Sequence, residues 1–171
     1  MAWNDNNRGG NRSGYNNGGY NGGRNGSAGG FNNRGGNGQQ RELPPEIVPQ
    51  KVPEDYVDQA ETIMRDLMIN GKTVTTSKIR NLLSLVTEIY NTENIRTDAR
   101  LLPESVARIS LMRVRVAYEC GRDDTVKAFV VKTKLLEYLK GISTDRADLI
   151  RFAHYMEALV AYHRYFGGKE G

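Results

Sequence analysis

The sequence holds one cysteine, Cys120, so no disulfide can form within the chain. A lone cysteine in an apolar helical pattern reads as a small packing residue, and a reducing compartment fits it. No hydrophobic run approaches the roughly 18 residues of a membrane span. The first residues, Met1-Ala2-Trp3-Asn4-Asp5, lack the apolar segment of a signal peptide. A soluble, cytoplasmic protein without membrane attachment is expected. There is no G-x-x-x-x-G-K-S/T phosphate loop, because Gly167-Gly168-Lys169 is only a helix end. There is also no Cys/His array at metal-ligand spacing, and no Ser, Cys or Asp with a persuasive set of partners. No catalytic centre, metal or cofactor is expected.

What is present divides the chain in two. Positions 1–45 are a tail and linker dominated by glycine and asparagine, with single aromatics (Tyr15, Tyr20, Phe31) between arginines. Such a composition cannot bury enough apolar surface to offset the entropy of ordering it, so disorder is expected. Arg/Gly/aromatic tails can touch nucleic acid weakly, and a merely solubilising extension is the plainer alternative. The tail also carries the charge imbalance. Up to position 41, Arg8, Arg12, Arg24, Arg34 and Arg41 stand against Asp5 alone, which accounts for the whole formal +4 of the 171-residue chain. The remainder is neutral overall, so any binding face there must come from local clustering.

Positions 46–171 read as one all-α domain, a compact bundle of about five helices. Pro44, Pro45, Pro49 and Pro53 form a stiff linker, with Pro53 placed to open the first helix. Tyr56, Val57, Ala60, Ile63, Met64 and Leu67 follow at helical spacing, and Asn70-Gly71 closes that helix. A second begins at Thr76 or Ser77 and carries Ile79, Leu82, Leu83, Val86 and Tyr90. A third runs from about Pro103 to Cys120 with Val106, Ile109, Met112 and Val116 inward, and Gly121 ends it. Asp123 or Asp124 caps a fourth that reaches Gly141 through Val126, Phe129, Val130, Leu136 and Leu139, although Phe129, Val130 and Val131 also suit a strand. Ser143 or Thr144 starts a fifth, with Leu149, Phe152, Met156, Leu159 and His163 on one side and Gly167-Gly168 at its end.

Two constellations suit a phosphate backbone. Arg108, Arg115 and Arg122 are seven residues apart, which sets them along one helical stripe drifting about 20° per step. Arg113 lies off the stripe but near enough to widen a basic surface. The plainer alternative is a solvated face neutralised by the pairs Glu104–Arg108 and Arg115–Glu119. Arginine is nevertheless the side chain suited to forked contacts with phosphate. The second constellation is Thr75-Thr76-Ser77-Lys78-Ile79-Arg80-Asn81. A helix start there would offer free backbone N–H groups, with Lys78 and Arg80 adding charge and Asn81 a donor; a capped helix with solvated first-turn charges is the alternative. His154 and Glu157 can share a helix face, but a metal site in a bundle needs ligands from facing helices too. His163 falls on the apolar side, as a packing histidine.

Three segments then stand together. They are Thr76-Ser77-Lys78-Ile79-Arg80-Asn81-Leu82-Leu83, Leu111-Met112-Arg113-Val114-Arg115-Val116-Ala117-Tyr118-Glu119-Cys120-Gly121-Arg122, and Tyr155-Met156-Glu157-Ala158-Leu159-Val160-Ala161-Tyr162-His163. In this order they resemble the small subunit of type III-A CRISPR interference complexes, the Csm-type effector, over roughly positions 52–168. The resemblance implies a small helical, non-catalytic subunit. Several copies would form an inner filament beside the backbone subunits, contacting guide RNA and target RNA, mainly the target-strand backbone, in antiviral defence. It implies other Csm-type subunits and further copies of itself as partners, and leaves open whether the free protein is a homodimer. Arg113, Arg115 and Arg122 match the family pattern, while Arg108 rests on the stripe alone. Lys78, Arg80, Asn81, Arg108, Arg113, Arg115 and Arg122 are the expected RNA-binding set. Subunit bridging with incidental RNA contact is the competing expectation.

Overall fold

The computed structural model describes residues 44–71 and 74–171; positions 1–43 of the expected tail and linker lie outside them. The described chain forms six helices with no strand among them. They are α1 Tyr56–Ile69, α2 Thr76–Asn94, α3 Pro103–Arg122, α4 Asp124–Lys132, α5 Leu135–Gly141 and α6 Arg146–Tyr165. α6 packs against α1 and α2, while α3 packs against α2, α4 and α5. Tyr155, Phe129, Phe152, Met64, Ile79 and Leu159 are fully buried between these layers. The apolar periodicity read from the sequence supplies most of this core, at a spacing that gives each helix one inward stripe.

The expected fourth helix is two. Lys134 adopts a left-handed backbone (φ 54°) and separates α4 from α5. The break costs helical hydrogen bonds, and tertiary partners replace them. The buried Thr133 hydroxyl donates to Phe129 O at 2.7 Å, and the Tyr155 hydroxyl of α6 donates to Thr133 O at 3.0 Å. Neither glycine nor proline marks the break.

The caps also shift slightly. Thr75, not Thr76 or Ser77, is the N-cap of α2. Asp123 caps α4, accepting from the N–H groups of Thr125 and Val126 at 2.9 and 3.2 Å. Asp145, rather than Ser143 or Thr144, caps α6 and accepts from Ala147 N at 2.8 Å. α1 begins three residues after Pro53, and α3 runs one residue past Gly121.

Two links fix the ends of the helices. Glu93 at the end of α2 is fully buried. It accepts from Arg96 Nη1 at 2.7 Å and from Leu102 N at 3.0 Å, joining α2 to the start of α3. The linker before α1 lies on α5, where Gln50 N donates to Glu137 O at 3.0 Å. Gly141 permits that approach, since a Cβ there would sit 1.9 Å from Gln50 O.

Candidate nucleic-acid interface

α2 and α3 lie side by side and leave a groove of about 550 Å3 between them, closed at one end by the start of α4. Helical spacing delivers its walls. Positions 78, 81, 82 and 85 of α2 share one face, as do 115, 118, 119 and 122 of α3. Lys78, Asn81, Arg115 and Arg122 line the groove, above a floor that includes Leu82 and Val126. A smaller depression continues along the same edge, sharing Leu85 and Arg115 and adding Arg108. Five of the seven expected residues are therefore brought to one surface.

The other two lie elsewhere. Arg113 is two residues from Arg115, about 200° of helical rotation away; it is half-buried and lines neither hollow. Arg80 points toward the C-terminal segment, 3.5 Å from the Glu170 carboxylate, which also binds Arg164.

The charges in the groove are not equivalent. Lys78 Nζ is 2.5 Å from Asp123 Oδ2. The Lys78 ammonium, the Thr125 hydroxyl and the Val126 N–H hold the Asp123 carboxyl well below the usual carboxylate range. Arg122 is 3.5 Å from Glu119, and its guanidinium lies over the Tyr118 ring, 5.4 Å from the centroid. The pairs that would have neutralised the stripe, Glu104–Arg108 and Arg115–Glu119, do not form. Arg108 and Arg115 make no ion pair among the described residues.

The start of α2 is closed as a phosphate cradle. Thr76 N donates to Lys169 O at 2.8 Å and Ser77 N to Glu170 O at 3.1 Å. Lys78 N reaches Thr75 Oγ1 at 3.4 Å and Ile79 N reaches Thr75 O at 3.1 Å. The segment after α6 folds back and occupies the donors that the sequence leaves unassigned. Lys78 can contribute there through its side chain, not through the helix end.

The histidines follow the plainer expectation. His163 is buried, its Nε2–H donating to Val74 O at 2.8 Å and its Nδ1 3.2 Å from the Thr76 hydroxyl. Burial, then the neighbouring Arg164 charge, pushes the imidazole below its ordinary value. His154 packs its ring edgewise on Tyr90, with centroids 5.7 Å apart. Among the described residues no group of three or more His, Cys, Asp or Glu is placed to hold a metal ion. None of their helices is long and apolar enough to cross a membrane.

Two polar groove residues have roles beyond those expected from the sequence. Asp123, expected as a cap, also ties down Lys78. Tyr118, expected only as part of a segment, stands three after Arg115 and four before Arg122, which puts it on their face.

The fold and this surface define a class: a small all-helical domain with a basic groove between two of its helices. Comparison with known proteins makes it specific. The family model described as Csm2 Type III-A matches residues 50–169. A Mycobacterium tuberculosis (strain ATCC 25618 / H37Rv) protein named "CRISPR system Cms protein Csm2" is 41% identical over 121 residues, covering 70% of this chain and 97% of its own length. The Streptococcus thermophilus protein of the same name is 42% identical over 120 residues, covering 68% and 95%. The Enterococcus italicus one is 36% identical over 104 residues, covering 58% and 71%. The chain belongs to the Csm2 family, the small subunit of type III-A CRISPR complexes.

Proposed function

We propose that the α2–α3 groove holds the sugar-phosphate backbone of target RNA already paired to guide RNA within the assembled Csm-type complex. The subunit acts there without catalysing a reaction. In this reading several copies form an inner filament in the cytoplasm, and together they brace the duplex during antiviral defence. The observation that carries it is the pair of arginines, Arg108 and Arg115, on the groove edge with no ion pair among the described residues. An arginine without an acidic partner has its forked donors available for phosphate. Sequence choice belongs to base pairing, so backbone contacts suffice. Arg122 and Lys78 contribute less, because Glu119 and Asp123 already hold them.

The test is the salt dependence of target binding by complexes assembled with Arg108→Ala and Arg115→Ala. Each phosphate contact contributes roughly 0.7–0.9 to the slope of log K against log salt. Both variants should flatten that slope. Wild-type slope and affinity in the double variant would refute the reading.

A subunit-bridging role is favoured by a different observation. Leu111 and Val114 on α3 and Val131 on α4 are 53%, 65% and 64% exposed. Such apolar side chains suit a protein neighbour better than RNA. If Leu111→Ser with Val114→Ser removes copies from the complex by native mass measurement, while the arginine variants leave salt dependence unchanged, bridging is the main role.

A further inference from the structure

Phosphate contact does not account for the inside of the groove. Its interior charges cancel in pairs, Lys78 with Asp123 and Arg122 with Glu119. The net positive charge sits at the edge, on Arg115 and Arg108. Between these lies an apolar floor that a phosphate has no use for. Tyr118 lines the same hollow and is 62% exposed, with Arg122 over its ring. A large exposed aromatic in a concave site offers a face on which a base can stack. The Asn81 carboxamide also faces the hollow and has no side-chain hydrogen-bond partner among the described residues. A carboxamide offers one acceptor and two donors, the complement of a base edge. The hollow, about 550 Å3, falls within the roughly 300–1,000 Å3 usual for sites that enclose a small organic group.

From this arrangement we infer that the groove is a nucleotide subsite: a base extruded from the bound RNA strand stacks on Tyr118 while its phosphate sits at Arg115. The inference rests on the proposed RNA-binding reading and deepens it. Arg115 and Tyr118 are three residues apart on α3, so their Cβ atoms are about 5–6 Å apart. One nucleotide spans that distance from phosphate to base. The Arg122 guanidinium, already over the ring, closes the stack by cation–π attraction. Extrusion has an unstacking cost, and a base that is unpaired or mismatched enters most readily. Asn81 hydrogen-bonds whichever edge is presented, so the subsite tolerates several bases.

The test is photocrosslinking in the complex assembled from the full chain, with 5-iodouridine placed at one target-RNA position at a time. The expected result is a crosslink to Tyr118 at particular positions, lost in Tyr118→Leu and kept in Tyr118→Phe. Target affinity should fall about fivefold or more in Tyr118→Leu, within the range for one lost base–aromatic stack. The salt slope should stay unchanged, because no charge is removed. If Arg115→Ala flattens the slope but no position crosslinks to Tyr118, the backbone reading stands and the base subsite is overturned. If neither variant changes anything, both are overturned. If Tyr118→Leu removes copies of the subunit without altering RNA contact per remaining copy, a protein neighbour fills the groove and the base subsite is again overturned.

Discussion

Asp123 divides two tasks between its two oxygens, and one substitution separates them. Oδ1 caps α4, accepting from Thr125 N at 2.9 Å and Val126 N at 3.2 Å. Oδ2 holds the Lys78 ammonium at 2.5 Å. Asp123→Asn keeps an acceptor at the first position and places an amide donor at the second. Asparagine caps helices about as well as aspartate, so only the partly exposed Lys78 ion pair is lost, and the melting temperature should fall by no more than roughly 4 °C. The amide cannot hold an ammonium, so Lys78 is released into a groove that gains one positive charge. On the proposed reading, each freed lysine that meets a phosphate steepens the salt slope by about 0.7–0.9. Extrapolated from 1 M to 0.1 M salt, that is about a five- to eightfold gain in affinity per engaged copy. Anisotropy titration of labelled target RNA against the assembled complex across a salt series measures both quantities. Asp123→Ala serves as the control: it frees the same lysine but loses the cap, lowering the melting temperature by roughly 3–8 °C. An Asp123→Asn complex that melts as expected and binds no more tightly at low salt would show that Lys78 does not face RNA.

Two further outcomes concern stability. Glu93→Ala should destabilise the domain by about 2–4 kcal/mol in denaturant titration, because it strands the half-buried Leu102 N–H, the buried Ser105 hydroxyl and the Arg96 guanidinium, all held by the carboxylate. Burial alone would raise the Glu93 carboxyl, but bonds from Ser105, Leu102 and Arg96 outweigh it and hold the group below its ordinary value. Its contribution is therefore present above the ordinary glutamate range, near about pH 4.3, and is lost as pH falls below it. His163 is expected to act at milder pH. Its folded value is lowered by burial, so the unfolded chain takes up a proton first, and stability should decline as pH drops below about 6.5. The denaturation midpoint should fall between pH 7.5 and 5.5 in the wild type and change less in His163→Gln; equal slopes would contradict this account of the buried ring.

The helical class and most of the core were legible because they depend on local periodicity. Ile79, Leu82 and Val86 on α2, or Ile109, Met112 and Val116 on α3, announce an inward stripe whatever they pack against. The basic edge was legible for the same reason, since seven-residue spacing fixes a direction on a helix. The misreadings share a cause in distant partners. The break at Lys134 is sustained by the hydroxyl of Tyr155, 22 residues from the carbonyl it binds. The donors at the start of α2 looked free, but their partners are Lys169 and Glu170 at the far end of the described chain. Thr75, Thr76 and Ser77 are all acceptable caps locally. Burial of Thr76 against His163 and Lys169 decides among them. Even the i to i+4 pairing of Arg115 with Glu119 fails in favour of Arg122, a choice between two neighbours that spacing alone cannot rank.

That choice bears on how a domain with no net charge beyond its first 41 residues could serve as an RNA clamp. A uniformly basic groove would bind any RNA and compete with guide pairing for control of the complex. Here Glu119 and Asp123 restrain two of the cations in and around the groove, leaving Arg108 and Arg115 as those without an ionic partner among the described residues. On the proposed reading, one copy then makes about two phosphate contacts, too few for tight binding at physiological salt. Copies repeated along a guide–target duplex add such contacts at high effective concentration, and only where a duplex of sufficient length exists. The acids of the groove thus set how much each copy contributes. Removing Glu119 or Asp123 frees one cation in every copy, so a long matched duplex that engages several copies should gain proportionally more affinity than an unpaired RNA that engages one or two. Side-by-side titration of Glu119→Gln complexes with matched and unmatched RNA measures that ratio. An equal gain for both would mean the acids tune affinity alone and play no part in selectivity.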